Sequence, residues 1–352
     1  MPPDVGSSGR SSREGATALP FADAQGVSRR TLFHMAGLAA ASALALRLPP
    51  LAESPRLVGL LMPEGAAAQS VRAALAAEYR VVSRAVGTAP SALVAEARSL
   101  LAAGRMDALV GALNARAAPR VAALLAEASI PFVALEAGAN APTAAERLPG
   151  LVYRTAGYWQ ASYAAGAWAA RQIGRRAHVL TSLYESGYDA LHAFGLGLRE
   201  HGGTVVATTV TRLPGEIPAA VAALGRTAPD LVYAMYGGAE AVTVLRAYRA
   251  AGLRSRVPLL AAPFMADAVR GEPAAEGLRS VATWVDGEPL GALAPGGVAV
   301  RATGGAPLHL RELRGGGHQV VGRLGDTAEL AAVADRIRPE PRSGWLDPHV
   351  GY

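Results

Sequence analysis

The sequence contains no cysteine and no lysine among its 352 residues. Without cysteine the chain cannot form disulfides, thiol nucleophiles or Cys-ligated metal sites, and we expect no lipid anchor because no cysteine is available for acylation. Without lysine it has neither a Schiff-base amine nor the lysine of a phosphate-binding P-loop. Several common classes of enzyme are therefore excluded by composition alone.

The basic residues are all arginines, 34 in number, and the formal net charge is +6. They are spread along the chain and form no basic runs interleaved with aromatic residues, so nucleic-acid binding is not expected. Apolar residues make up 51% of the sequence, which suffices for the cores of two ordinary domains in a chain of this length. The composition indicates a globular protein.

The N-terminal region carries a candidate export signal. Residues 1–27 are rich in Gly, Ser, Ala and Pro and are expected to be disordered. The next segment, SRRTLF with Arg29 and Arg30, resembles a twin-arginine (Tat) signal, although its two hydrophobic residues are swapped and the usual final lysine is missing. The apolar stretch at 34–46 is short for a membrane span of about 20 residues, which favours a cleavable signal. The alternative is a buried amphipathic helix at the start of the fold.

Two successive α/β arrays follow this region. Short apolar runs alternate with helical patterns, which predicts parallel sheets covered by helices on both faces. The predicted strands of the first array lie at 56–62, 79–86, 107–111 and 130–135, with helices at 70–78, 91–103 and 118–128. Those of the second array lie at 151–155, 178–182, 204–211 and 230–236, with helices at 158–173, 188–201, 217–225 and 239–251.

The predicted fold is therefore α/β, with two doubly wound parallel-sheet lobes joined by a hinge. We assign residues 53–150 to lobe 1, together with a return segment at about 285–325, and residues 151–284 to lobe 2. Residues 1–52 form the N-terminus and signal, and residues 326–352 a C-terminal tail.

The unit at 229–252 gives the first indication of a ligand site. An apolar strand ends at the turn Gly237-Gly238, and a helix follows it. Open α/β sheets bind their ligands at the carboxyl ends of their strands, so Tyr236 and Glu240 are candidates to face a cleft. The alternative is that Tyr236 packs at an edge of the core and Glu240 is solvated.

Several phrases of the sequence, in their order, resemble a known family. RLVGLLMP, IPFVALEAGANAP, LVYRTAG and PDLVYAMYGGAEAVTVLRAYRAAGL are similar to segments of the type I periplasmic binding proteins of ABC importers, in the branch that binds branched-chain amino acids, amides and urea. The resemblance implies a monomeric periplasmic receptor that closes by a hinge on a small molecule and delivers it to an inner-membrane ABC permease. It implies no enzyme activity, cofactor or metal.

Carried over position by position, the resemblance implies a ligand site with residues from both lobes. The candidates are Asn114, Arg116 and Asn140 in the first lobe and Tyr158, Trp159, Tyr184, Tyr236, Glu240 and Phe264 in the second. The serine that the family uses for a ligand carboxylate falls at Ala115. The two acids that meet the ligand ammonium are replaced as well, one by Tyr158 and Trp159 and the other by Phe264.

These replacements indicate which class of ligand the site is expected to bind. Burying an ammonium without a carboxylate costs roughly several kcal/mol, so an ordinary α-amino acid is not expected. The aromatic residues predict an apolar cleft, and Arg116 is positioned to hold a carboxylate through a pair worth about 1.5–3 kcal/mol. We expect an aromatic or aliphatic acid, an amide or an alcohol. The alternative for each aromatic side chain is core packing, and for Arg116 it is solvation.

Catalysis finds little support in the sequence. His192 and His201 lie nine positions apart on one predicted helix and point to opposite faces, and no metal-ligand spacing occurs. Ser186 lacks the first glycine of a nucleophile elbow and fits a helix cap, while His178 stands at the start of a strand. Two alternatives to the receptor remain. One is a periplasmic sensor or assembly partner of the same fold, and the other is an exported enzyme that depends on Glu240 or His192.

Overall fold

The computed structural model describes residues 57–62, 66–76, 79–86, 90–104, 106–112, 117–136, 138–141, 148–286, 294–295 and 305–337. The predicted Tat segment with Arg29 and Arg30 lies outside these residues. The same holds for Asn114 and Arg116 of the predicted ligand site.

The first lobe is built on a six-stranded sheet. Its strands are β1 (Leu57–Met62), β2 (Arg80–Ala85), β3 (Ala108–Ala112), β4 (Phe132–Glu136), β5 (Leu151–Thr155) and β11 (Ala294–Pro295). They stand in the order β11-β5-β4-β3-β1-β2, in which β11 is antiparallel to β5 and all other pairs are parallel. Three helices accompany them: α1 (Ala66–Ala76), α2 (Pro90–Ala103) and α3 (Ala117–Glu127).

The second lobe is built on a seven-stranded sheet. Its strands are β6 (Arg176–Ser182), β7 (Thr204–Thr211), β8 (Leu231–Met235), β9 (Leu259–Ala261), β10 (Arg279–Ala282), β12 (Pro307–Arg314) and β13 (Gly317–Asp326). They stand in the order β13-β12-β10-β9-β8-β6-β7, and β6 to β10 pair in parallel. The helices are α4 (Tyr158–Gln172), α5 (Asp189–Glu200), α6 (Ile217–Ala222), α7 (Gly238–Ala250), α8 (Pro263–Ala268) and α9 (Ala334–Ile337). Among the described helices, none has the length and apolar character needed to cross a membrane.

The predicted α/β fold with two parallel-dominated sheets is confirmed. The lobe boundaries differ from the expectation in two places. Strand β5 pairs with β4 in the first sheet, so the chain leaves the first lobe after Thr155 and not at residue 150. Strands β12 and β13 extend the second sheet, and within the expected return segment only β11 pairs with the first sheet among the described residues.

Burial explains why β12 joins the second lobe. It runs antiparallel to β10 and buries Leu308, Leu310 and Leu313 in the core. The segment after β13 belongs to the same lobe, because it packs against α4, α5 and β13. The predicted tail therefore begins as part of the second lobe as far as residue 337.

Helix α4 lies at the centre of the second lobe, with every residue from Tyr158 to Ala170 buried. Its neighbour α5 approaches so closely that two glycines are needed at the crossing. A Cβ atom at Gly166 would overlap the backbone carbonyl of Phe194, and one at Gly197 would overlap the carbonyl of Tyr163. The two helices therefore pack backbone to backbone.

We predict opposite effects for two glycine substitutions in α5. Gly197→Ala inserts a methyl group against the α4 backbone and should lower the free energy of unfolding by about 1–3 kcal/mol or more. At Gly195 a Cβ atom would lie 3.2 Å from the flexible end of Arg199, so Gly195→Ala should gain up to about 1 kcal/mol from helix propensity. Urea denaturation measures both changes, and equal effects of the two variants would contradict the packing described.

Candidate ligand site between the lobes

The carboxyl ends of the parallel strands in the second sheet meet at one edge. Tyr184 follows β6, Tyr236 follows β8 and Phe264 follows β9. Trp284, which the sequence analysis did not consider, follows β10 at the same edge. This edge faces the connections to the first lobe, as expected for a ligand site in an α/β protein.

Three rings form one aromatic wall at this edge, which we define as Tyr158, Phe264 and Trp284. The ring centroids of Tyr158 and Phe264 are 5.5 Å apart, and those of Tyr158 and Trp284 are 5.7 Å apart. The interplanar angles of 34° and 36° mean that neighbouring rings are tilted and form no parallel stack. Burial raises the pKa of Tyr158, and the nearby charge of Asp267 adds to the shift, so its hydroxyl stays protonated.

The two lobes are joined directly by hydrogen bonds at the start of α5. The side-chain oxygen of Asn140, which follows β4 in the first lobe, accepts from the backbone N–H of Asp189 at 3.1 Å. The Asp189 carboxylate accepts from the N–H of Ala141 at 3.0 Å, and the N–H of Ala190 donates to the carbonyl of Ala139 at 2.8 Å. Asn140 therefore bridges the lobes and satisfies a donor in the first turn of a helix.

The first connection between the lobes passes through Gly157, which adopts a left-handed conformation with φ of 63°. A Cβ atom there would lie 3.1 Å from the side chain of Thr283, which itself donates to the carbonyl of Ala156 at 2.9 Å. The connection after β5 and the one after β10 thus pack together.

The other predicted site residues divide by exposure. Tyr184 is 37% exposed, whereas Trp159 is buried and donates its backbone N–H to the carbonyl of Gly138 at 2.8 Å. Tyr236 is fully buried, its hydroxyl lies 3.0 Å from that of Thr211, and burial raises its pKa. Glu240 lies in the first turn of α7 and is also buried. Tyr236 and Glu240 are therefore buried in the second lobe, whereas Tyr184 is exposed at its edge.

His178 and Ser186, which were considered for catalysis, both have structural partners. His178 is held in β6 between the hydroxyls of Thr227 and Thr209, at 2.9 Å and 2.8 Å. Ser186 donates to the carbonyl of Leu183 at 2.8 Å. Among the described residues, no group of three or more His, Asp or Glu side chains is arranged to hold a metal ion.

A family model described as periplasmic binding protein matches residues 66–294, which is more than half of the chain. The chain therefore belongs to the periplasmic binding protein family. The resemblance stated from the sequence is confirmed at this level. None of the curated proteins compared with the chain matches it.

Several solved structures share the fold. A solute-binding protein of an ABC transporter from R. palustris, in complex with benzoate, is 20% identical with a TM-score of 0.59, covering 78% of this chain and 97% of its own. Another from Rhodopseudomonas palustris HaA2, in complex with p-hydroxybenzoic acid, is 17% identical with a TM-score of 0.60, covering 79% and 100%. A leucine-, isoleucine-, valine-, threonine- and alanine-binding protein from Brucella ovis is 15% identical with a TM-score of 0.52, covering 67% and 68%. At these identities the likeness establishes the fold.

We expect Asn140→Ala to weaken the contact between the lobes. The substitution leaves the N–H of Asp189 without its acceptor, and loss of such a cap costs about 1 kcal/mol. Urea denaturation should show this decrease in the free energy of unfolding. Gln319→Ala, which removes an exposed amide from β13, is the control and should change stability by less than about 0.5 kcal/mol. An equal loss in both variants would argue against a bridging role for Asn140.

His178 should make stability depend on pH. Burial lowers its pKa below the ordinary value of 6.5, so as pH falls the unfolded chain takes up this proton before the folded protein does. The stability that neutral His178 contributes is therefore complete above about pH 6.5 and is lost as pH falls through its lower folded pKa. In His178→Gln, the decline of unfolding free energy between about pH 7 and 5 should be shallower. An unchanged slope would refute this assignment.

Proposed function

We propose that the protein is an extracytoplasmic receptor of an ABC importer that captures a small organic acid between its lobes and delivers it to an inner-membrane permease. Membership of the periplasmic binding protein family supports the receptor. The Arg29-Arg30 segment supports export by the Tat route, followed by signal cleavage. We propose that the mature receptor is a monomer without a membrane anchor.

The aromatic wall is the observation that carries the choice of ligand. Its three rings lie beside the connection between the lobes and form an aromatic cluster from which Trp284 stays partly exposed. Binding sites for small molecules combine such surfaces with a few polar groups that fix orientation. A planar, mostly apolar solute fits this surface better than a branched aliphatic side chain does, because flat rings gain from tilted or offset contact with other rings.

The charges near the wall disfavour an α-amino acid. The acid that the family uses for the ligand ammonium is replaced by Tyr158, whose hydroxyl stays protonated. Asp267, one turn after Phe264, already accepts from Arg311 at 3.2 Å and lies 2.7 Å from a ring nitrogen of His318. Its charge is therefore largely balanced within the protein. An incoming ammonium would gain little from this carboxylate.

Under this proposal, the carboxylate of the ligand would pair with an arginine of the first lobe. Arg116, in the loop after β3, would pair with it, and Asn114 would add an amide. Two structural neighbours with bound benzoates support this class of ligand, since they share the fold and hold aromatic acids. Tyr184 would contact the ligand at the mouth. Trp159 and Asn140 would hold the lobes around it, and Tyr236 and Glu240 would support the edge from below.

The proposal predicts that benzoate or 4-hydroxybenzoate raises the melting temperature of the mature chain. A ligand at about 100 times its Kd adds about 2.7 kcal/mol, which corresponds to a shift of several degrees for a protein of this size. The screen would compare these acids with leucine, valine, acetamide and urea, and calorimetric titration would give the Kd of each hit. A hit with leucine or valine alone would keep the receptor and overturn the ligand class.

Matched arginine variants test the carboxylate contact. Arg116→Gln should weaken binding of an aromatic acid by about tenfold or more, because a charge-assisted pair is lost. Arg120→Gln removes an exposed arginine from α3 nearby and should leave the Kd within about twofold. If a well-folded protein binds none of the compounds, the receptor proposal fails, and a sensor or assembly partner of the same fold becomes the better explanation.

A further inference from the structure

Trp284 lies next to the connections between the lobes. It follows β10, and the hydroxyl of its neighbour Thr283 donates a hydrogen bond to the carbonyl of Ala156 in the first connection. Trp284 remains partly exposed, whereas Tyr158 and Phe264 are each only 4% exposed. Within the aromatic wall, Trp284 is therefore the ring with the most surface left for another molecule.

Arg311 contacts both the ring and the backbone of Trp284. The guanidinium carbon of Arg311 lies 4.8 Å from the ring centroid of Trp284, within the range of a cation–π contact. The same guanidinium donates to the backbone carbonyl of Trp284 at 3.3 Å. Arg311 thus fixes both the ring and the backbone of this residue.

The burial of Arg311 is compensated through its two terminal nitrogens, whereas its Nε has no hydrogen-bond partner among the described residues. Its side chain is 0% exposed, and a buried guanidinium is costly unless it is paired. Nη2 donates to the Asp267 carboxylate at 3.2 Å and to the Ser280 hydroxyl at 3.3 Å. Burial lowers the pKa of Arg311, and the Asp267 charge opposes that shift.

Asp267 links Arg311 to the edge strand β13, in which His318 lies. The same carboxylate oxygen lies 2.7 Å from Nε2 of His318, and the backbone N–H of His318 donates to Asp286 at 2.5 Å. Asp286 also pairs with Arg270. Burial alone would raise the pKa of Asp267, but Arg311 and His318 together lower it below its usual range. The two aspartates of this cluster are thus engaged by Arg311, Arg270 and His318 within the protein.

We infer that Trp284 contacts the ligand and determines its specificity, and that Arg311 and Asp267 are positioning residues that fix the Trp284 ring. This inference rests on the proposed function. Arg311 occupies one face of the indole, so a ligand ring would contact the part of Trp284 that stays exposed. A planar aromatic ring gains most from contact with such a surface, which deepens the preference for aromatic acids.

The positioning role is tested first in the free protein by tryptophan fluorescence. The difference between the emission of each chain and that of the same chain carrying Trp284→Phe isolates the signal of Trp284 among the four tryptophans. Arg311→Lys should shift this signal to longer wavelength and increase its quenching by acrylamide. Arg279→Lys is the matched control, since Arg279 lies 5.8 Å from the Trp168 ring and pairs with Glu312 at the amino end of β10. It should leave the Trp284 signal unchanged.

The ligand contact is tested by titration calorimetry with benzoate. Trp284→Ala and Arg311→Lys should each weaken binding by about tenfold, whereas Trp284→Phe and Arg279→Lys should change the Kd by less than about threefold. Unchanged binding in Trp284→Ala, or an unchanged Trp284 signal in Arg311→Lys, would overturn the inference. If the unchanged chain binds no benzoate, the proposed ligand class fails on its own, and the fluorescence result still decides whether Arg311 positions Trp284.

Discussion

The burial of helix α4 is the constraint on which the second lobe depends. Its centre is fixed against α5 by the close approach at Gly166 and Gly197, so neither helix can shift without moving the other. The start of α4 carries Tyr158 into the aromatic wall, while the start of α5 carries Asp189 to the first lobe. One helix pair therefore sets both the surface offered to a ligand and the contact between the lobes. Changes deep in this pair are expected to reach the cleft through rigid packing.

Much of the fold could be predicted from local pattern. The strands at 151–155 and 204–211 coincide with β5 and β7, because apolar or β-branched runs bounded by turn residues are strong signals. Helix α8 was missed since its six residues are too few to show a helical period. The spacing of Leu308 and Leu310 predicts that β12 buries one face, but not which sheet receives that face. That choice is made by contacts distant in sequence.

The candidate site was predictable only in part, because contacts between residues distant in sequence also decide where its side chains lie. Tyr158 and Tyr236 both stand near the carboxyl ends of strands, yet Tyr236 turns into the core toward Thr211. A sequence does not distinguish these two orientations. Arg311 looks like a solvated residue in a strand, and its burial depends on Asp267, 44 positions earlier. Asn114 and Arg116 lie outside the described residues and stay predictions.

The direct hydrogen bonds between the lobes have a thermodynamic consequence for a receptor of this kind. Bonds such as that from Asp189 to Asn140 need no ligand, so they favour the joined arrangement in the empty protein. The apparent Kd of a ligand equals its intrinsic Kd divided by the fraction of protein already competent to bind. If a larger fraction of the protein already has its lobes joined, the apparent Kd of the ligand is therefore lower, provided that the ligand can still enter. Under the proposed function, separating the lobes to admit a ligand would carry the cost of breaking these bonds.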